Sequence, residues 1–146
     1  MSKFTKIAKE ISVIGLGVGT GLWIDSECYS LVVGQGPSMI PTFGTNSVLT
    51  VNRFKWKYGL FKKDDIVFSK TPHDDSTMVV KRLTHLPGET VELNDGTLYK
   101  LEHNQFWLQG DNTERSFDSR HFGPIPKHMI SGIVTGIIYP KVNWFN

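Results

Sequence analysis

A single cysteine, Cys28, stands among the 146 residues. It leaves no material for an internal disulfide, a CxxC redox pair or a cysteine zinc knuckle. An excess of either charge is also lacking: 16 Lys+Arg against 14 Asp+Glu give a net charge of +2. That is far from the basic surplus that binds a phosphate backbone through counterion release, so no nucleic-acid partner is expected. The five histidines, His73, His85, His103, His121 and His128, show no HxxxH-type spacing, and neither a metal nor a cofactor is expected. No apolar run reaches the roughly 20 residues of a full transmembrane helix. Internal repeats and low-complexity tracts are missing too. What is present is an ordinary globular composition, 39% hydrophobic and 21% charged, with room for one compact domain stabilised by packing.

The N-terminus departs from that composition. Lys3, Lys6 and Lys9 precede an apolar run from Ile11 to Ile24, broken only by Ser12, Thr20 and four glycines. As a helix those 14 residues cover about 21 Å of a hydrocarbon core roughly 30 Å thick, so a span needs Ile7 and Ala8, snorkelling lysines or local thinning. Trp23-Ile24-Asp25 offers no small-x-small cleavage site. The expected organisation is a retained anchor over residues 1–30 and a domain over 31–146, with Trp23 at the far interface and the lysines on the side of insertion. The other reading is a buried N-terminal element of the domain. Gly15, Gly17, Gly19 and Gly21 do not form a dinucleotide turn, because GxGxxG would need glycine at Thr20 or Leu22 and no βα alternation follows.

Beyond Ser30 the pattern predicts an all-β domain. Strands are expected at Leu31 to Val33, Ser47 to Val51, Asp65 to Ser69, Thr77 to Leu83, Thr90 to Leu93, Leu98 to Leu101, Gln105 to Leu108 and Ile130 to Tyr139. Pro87-Gly88, Asn94-Asp95-Gly96 and Gly110-Asp111-Asn112 supply turns, and the second gives the best hairpin signal.

Three segments carry residues suited to chemistry. Gly34-Gln35-Gly36-Pro37-Ser38-Met39-Ile40-Pro41-Thr42 presents one hydroxyl in a loop that glycines open to close backbone approach and prolines stiffen. Taken alone it also reads as a turn with a capping serine. It is not a GxSxG elbow, since Ile40 occupies the second glycine position, and Pro41 excludes SxxK. Lys81, in Thr77 to Leu83, shares a strand face with Val79 and Leu83 while Arg82 points to the other face. Apolar surroundings favour its neutral amine, whereas a snorkelling edge lysine is the plainer reading. In Gly110 to Arg120 an extended backbone puts Ser116, Asp118 and Arg120 on one side, as a hydroxyl and ion pair that brace a base or as solvated surface pairs.

In order and spacing, four segments resemble the motifs of type I signal peptidases: Gly36 to Thr42, Asp64 to Phe68, Val80 to Glu89, and Gly110 to Arg120. The resemblance implies a signal-peptidase-like β-fold and a membrane-bound Ser/Lys endopeptidase that removes sorting or signal peptides from precursor proteins. By motif it makes Ser38 the nucleophile, Lys81 the general base and Ser116 the hydroxyl that orients the amine. It makes Arg82, Asp111, Asp118 and Arg120 structural braces. The family's side-chain oxyanion donor falls at Gly36 here, which leaves the Ser38 backbone N–H. Asp64 replaces a common glycine, and Thr84 and His85 replace apolar and small residues. Gly36, Met39, Phe43, Val79 and Val80 are the expected substrate-binding positions, with the precursor extended between Leu31–Gly36 and Val79–Lys81.

The short chain and the ending Phe122-Gly123-Pro124-Ile125-Pro126 look most like the mitochondrial inner membrane branch of the family, and Pro37 and Arg120 look more like its first subunit than its second. A second peptidase subunit, the inner membrane and an intermembrane-space orientation are implied. The alternatives are a minimal bacterial signal peptidase at the plasma membrane and a membrane-tethered β domain that binds without chemistry. Self-cleaving repressors resemble the same fold, but no DNA-binding domain or internal cleavage site is visible.

Overall fold

The computed structural model describes residues 28–145. The apolar run at 11–24, and with it the expected anchor, lies outside the described residues. Among the described residues no helix is long and apolar enough to cross a membrane.

The domain is all-β. Its strands are β1 Tyr29–Gly34, β2 Ser47–Asn52, β3 Ile66–Thr71, β4 Asp74–His85, β5 Thr90–Glu92, β6 Leu98–Lys100, β7 Gln105–Gln109, β8 Ile125–Pro126, β9 Ile130–Tyr139 and β10 Asn143–Trp144. Two short helices join them, α1 Arg53–Lys57 and α2 Ser119–Phe122. The main sheet runs β1-β2-β9-β3-β4-β7-β8 with β10 on β9, and β5 and β6 form a separate hairpin. Every pairing is antiparallel.

Period-two alternation explains why this sheet has a core on each face. In β3, Val67 packs with Trp56, Leu83, Phe106, Leu108 and Ile133. Its neighbour Ile66 joins Met39, Phe43, Leu49, Val51 and Val134 in a second cluster. Val91, Leu101 and Trp107 form a third cluster beneath the β5–β6 hairpin, whose turn lies at Asn94-Asp95-Gly96, where Leu93 N–H reaches the Thr97 carbonyl at 2.8 Å.

The observed strands differ from the expected ones mainly at their ends. β4 starts at Asp74, three residues before the expected Thr77, because the Thr71 hydroxyl donates to the Asp74 carbonyl at 3.0 Å and closes the β3–β4 turn early. The two-residue strands β8 and β10 are too short to leave a periodic signal. α1 is a single turn nucleated by Asn52, whose side chain accepts from Lys55 N–H at 2.9 Å, and the burial of Trp56 keeps it in place.

Candidate active site

Register explains how a lysine comes to be buried. Lys81 on β4 lies opposite Val67 on β3, and Val67 lies opposite Ile133 on β9, so all three project from one apolar face. Lys81 is only 3% exposed. Its Nζ donates to Ser116 Oγ at 3.1 Å. Burial drives the amine below the ordinary lysine value, Asp118 and Asp111 oppose this, Arg120 adds to it, and the net shift is downward.

Ser116 in turn donates its hydroxyl to Asp118 Oδ2 at 2.6 Å. With that proton committed, Ser116 Oγ can only accept from the amine, which leaves the nitrogen lone pair of neutral Lys81 free to face another hydroxyl. Asp118 is completely buried and accepts from Gly110 N–H at 2.9 Å and from Arg120 Nε and Nη2 at 2.9 and 2.8 Å. Burial alone would push this carboxyl up. Hydrogen bonds from Arg120, Gly110 and Ser116 outweigh that effect and hold it at about 2. Asp118 also caps α2 in a reciprocal box with His121.

A second network holds the serine loop. Arg82 grips Asp111 with two bonds of 2.7 Å, Nε to Oδ1 and Nη2 to Oδ2, a bidentate charge-assisted pair. The Thr42 hydroxyl donates to the same carboxylate. Arg82 Nη1 reaches the carbonyl of Asp64 at 2.7 Å. Asp64 has φ 73°, a left-handed conformation in which glycine is the unstrained choice and Asp is among the tolerated residues. Next in sequence to Asp111, Asn112 donates its N–H to the Ser38 carbonyl at 2.9 Å and its Nδ2 to the Pro37 carbonyl at 3.2 Å.

Gly110 stands between the two networks. A Cβ on it would lie 2.6 Å from the Ser38 carbonyl oxygen and 2.2 Å from Ser116 Oγ, and the backbone oxygen cannot step aside without moving the serine loop. Gly110→Ala is therefore expected to cost about 1–3 kcal/mol of stability, the usual scale of overpacking. Any reaction that depends on the Ser38 hydroxyl should slow at least about tenfold, since displacement of the loop by even 1 Å can cost far more. Thermal unfolding and a rate measurement on the same preparation check both, and a wild-type rate would show that Gly110 does not set this spacing.

Ser38 and Lys81 line one open cleft of about 330 Å³ together with Gly36, Met39, Phe43, Val79 and Val80. It lies between β1, the sheet's edge strand, and the stretch of β4 ahead of Arg82, where β7 begins to pair. A larger hollow of about 530 Å³, lined by Lys55, Lys62 and Trp144 among others, contains neither the serine nor the lysine. The cleft is the better candidate because Ser38 and the buried Lys81 both line it.

All twelve site residues expected from sequence thus fall into three connected groups: the Lys81–Ser116–Asp118–Arg120 chain, the Arg82–Asp111 pair, and the cleft with Ser38. Thr42, Gly110 and Asn112 lie within the quoted motifs but were given no role by the sequence. Their contacts span 69 and 75 residues from Thr42 to Asp111 and from Pro37 to Asn112, distances at which spacing carries no signal.

A family model described as "Signal peptidase, peptidase S26" matches residues 7–102 and 100–139. The mitochondrial ATP-independent inner membrane protease subunit 1a of Arabidopsis thaliana is 33% identical over 114 residues, covering 73% of this chain and 68% of the relative. Signal peptidase I V of Bacillus subtilis (strain 168) is 29% identical over 170 residues, covering 91% and 96%. The mitochondrial inner membrane protease subunit 1 of Schizosaccharomyces pombe is 29% identical over 130 residues, covering 84% and 82%.

Proposed function

The chain belongs to the signal peptidase family, peptidase S26, and from that premise we propose that it is a membrane-bound serine endopeptidase with a Ser38/Lys81 dyad that removes sorting or signal peptides from precursor proteins. The observation that carries the dyad is the buried Lys81 amine, fixed by Ser116 and lining the cleft that also holds Ser38.

In this reading neutral Lys81 takes the proton of Ser38 Oγ as that oxygen attacks the scissile carbonyl, and passes it to the departing amine as the C–N bond breaks and the acyl-enzyme forms. Lys81 then takes a proton from the water that attacks the ester and returns it to Ser38 Oγ as the carboxylate product leaves. The Ser38 N–H serves the developing oxyanion, and Gly36, with φ 93° and no side chain, leaves room for it. The precursor lies extended between β1 and β4, with Met39, Phe43, Val79 and Val80 as pocket walls. Arg82, Asp111, Asp118 and Arg120 brace the two halves of the site.

Relatives named as inner membrane protease subunits favour the mitochondrial inner membrane, with a second peptidase subunit as partner and the domain over 31–146 facing the intermembrane space behind an anchor over 1–30. The Bacillus relative favours the alternative, a bacterial plasma membrane.

A processing assay of the full chain against a precursor tests the activity, and its pH profile tests the base. Because burial lowers the Lys81 value, the active neutral amine is populated at lower pH than for a free lysine. The rate is expected to rise with pH through an inflection well below about 10.4 and then level off. Val79→Asp puts a carboxylate beside the amine, favours its charged form and should move that inflection upward. An unmoved inflection in folded Val79→Asp would assign the titration to another group.

A further inference from the structure

The carbonyls of Pro37 and Ser38 both find a donor in one distant residue. Asn112 gives its backbone N–H to the Ser38 carbonyl at 2.9 Å and its side-chain Nδ2 to the Pro37 carbonyl at 3.2 Å. These oxygens belong to the two peptide planes that flank the Ser38 Cα, so a single residue holds both planes and, between them, the direction of the serine side chain. Ile40 N–H also reaches the Pro37 oxygen, at 3.2 Å, but it lies in the same loop and moves with it. Asn112 is fixed from outside the loop. Its neighbour Asp111 is gripped by Arg82 on β4, and Gly110 N–H is held by Asp118.

The side chain makes this contact in place of its usual one. Asn112 stands directly ahead of the single 3-10 turn Thr113–Arg115, where an asparagine ordinarily folds its oxygen back onto the N–H groups of the turn. Here no such cap bond forms. Only the amide nitrogen can donate to a carbonyl, so the Pro37 oxygen sets which way the Asn112 amide faces. The Pro37–Ser38 peptide is trans, and a trans peptide carries its C=O and N–H in opposite directions. Drawing the Pro37 oxygen toward Asn112 therefore turns the Ser38 N–H the other way. That N–H has no backbone acceptor among the described residues, and Ser38 lines the cleft whereas Asn112 does not.

We propose that Asn112 is a positioning residue for acyl transfer, which holds the Pro37 carbonyl through Nδ2 and so aims the Ser38 N–H into the cleft, at the developing oxyanion. The proposal rests on the Ser38/Lys81 peptidase reading and adds to it the group that orients the oxyanion donor. An oxyanion donor is worth about 10²- to 10³-fold in kcat only while it is already aimed, because one that must reorient during the reaction loses part of that effect. Glycine at 36 sharpens the dependence, since no side chain at that position shares the charge with the N–H.

The test compares wild type, Asn112→Ala and Asn112→Asp as full chains, with two probes. One is a peptide aldehyde copying the residues ahead of the cleavage site of the precursor used to follow processing, and the other is the alcohol of the same sequence. The aldehyde accepts Ser38 Oγ at its carbon and puts its oxygen where the oxyanion forms, while the alcohol makes the same groove contacts without an adduct. Wild type is expected to prefer the aldehyde by about a hundredfold or more. Asn112→Ala keeps the backbone bond to the Ser38 carbonyl, so it should fold, yet its preference for the aldehyde should fall at least about tenfold. Its affinity for the alcohol should stay within about threefold, and kcat should fall in step with the lost preference while KM holds. The pH inflection should not move, because Lys81 and Ser116 are untouched. Asn112→Asp keeps the size but sets an acceptor against the Pro37 carbonyl, and should lose at least as much.

An undiminished preference for the aldehyde in both variants would overturn the proposal. So would equal weakening of the aldehyde and the alcohol, which would make Asn112 a support of the loop and nothing more. A wild-type chain that does not prefer the aldehyde would strike down the serine-peptidase reading itself.

Discussion

Ser38→Ala and Lys81→Met are each expected to lower kcat/KM for precursor processing by about 10⁴-fold or more, and the double variant should be little worse than either single one, because a nucleophile and its base act as a unit. Neither should unfold the protein. Ser38 sits in a loop held through its carbonyl by Asn112, a bond the substitution leaves intact. Lys81→Met replaces a buried amine with an apolar side chain of similar length, which removes a desolvation cost along with the bond to Ser116. Ser116→Ala should slow processing less, since a loosely held amine can still accept a proton. A rate within about tenfold of wild type for either dyad variant would contradict the assignment.

Asp118→Ala is expected to be the most destabilising single change at the site, at about 3–5 kcal/mol, the range for removing one partner of a buried ion pair. It deprives Arg120, Gly110 N–H and Ser116 of their shared acceptor and frees the N-terminus of α2. The same carboxylate predicts the acid limb of stability. Its folded value of about 2 lies below the ordinary aspartate value of 3.8, so the folded state favours the ionised form. The stabilisation, on the order of 2 kcal/mol, is fully present above the unfolded value and is lost as pH falls through about 2. Thermal unfolding between pH 5 and 2 should show Tm falling steeply in wild type and less steeply in Asp118→Asn, which cannot titrate at that position. Parallel slopes would mean that other carboxylates carry the acid sensitivity.

Much of the site was legible because its chemistry is local in sequence. Alternation around Val79, Lys81 and Leu83 already placed the amine on an apolar face, and the i, i+2 spacing of Ser116 and Asp118 already allowed one to brace the other. The alternative of a snorkelling lysine fails although β4 is unpaired on one side ahead of Arg82, because the Lys81 side chain is buried and its amine is held by Ser116. What could not be read was whatever depends on two distant segments meeting. Gly110 looks like a turn glycine until the Ser38 carbonyl and Ser116 are found on either side of it. Asn112 looks like a turn residue until Pro37 and Ser38 supply its acceptors. α1 escaped for another reason: one helical turn leaves too few residues to show a 3.6 period, and only its cap and Trp56 hold it.

The central claim is that Ser38 carries the acyl group, and the chain's single native cysteine makes a direct measurement possible. In a Cys28→Ser background, Ser38→Cys places the only thiol at the proposed nucleophile. This variant is expected to retain measurable processing, and one equivalent of N-ethylmaleimide, located at residue 38 by mass spectrometry, should abolish that activity while wild type and Cys28→Ser are unaffected by the reagent. Undiminished processing by a chain fully alkylated at residue 38 would contradict the account.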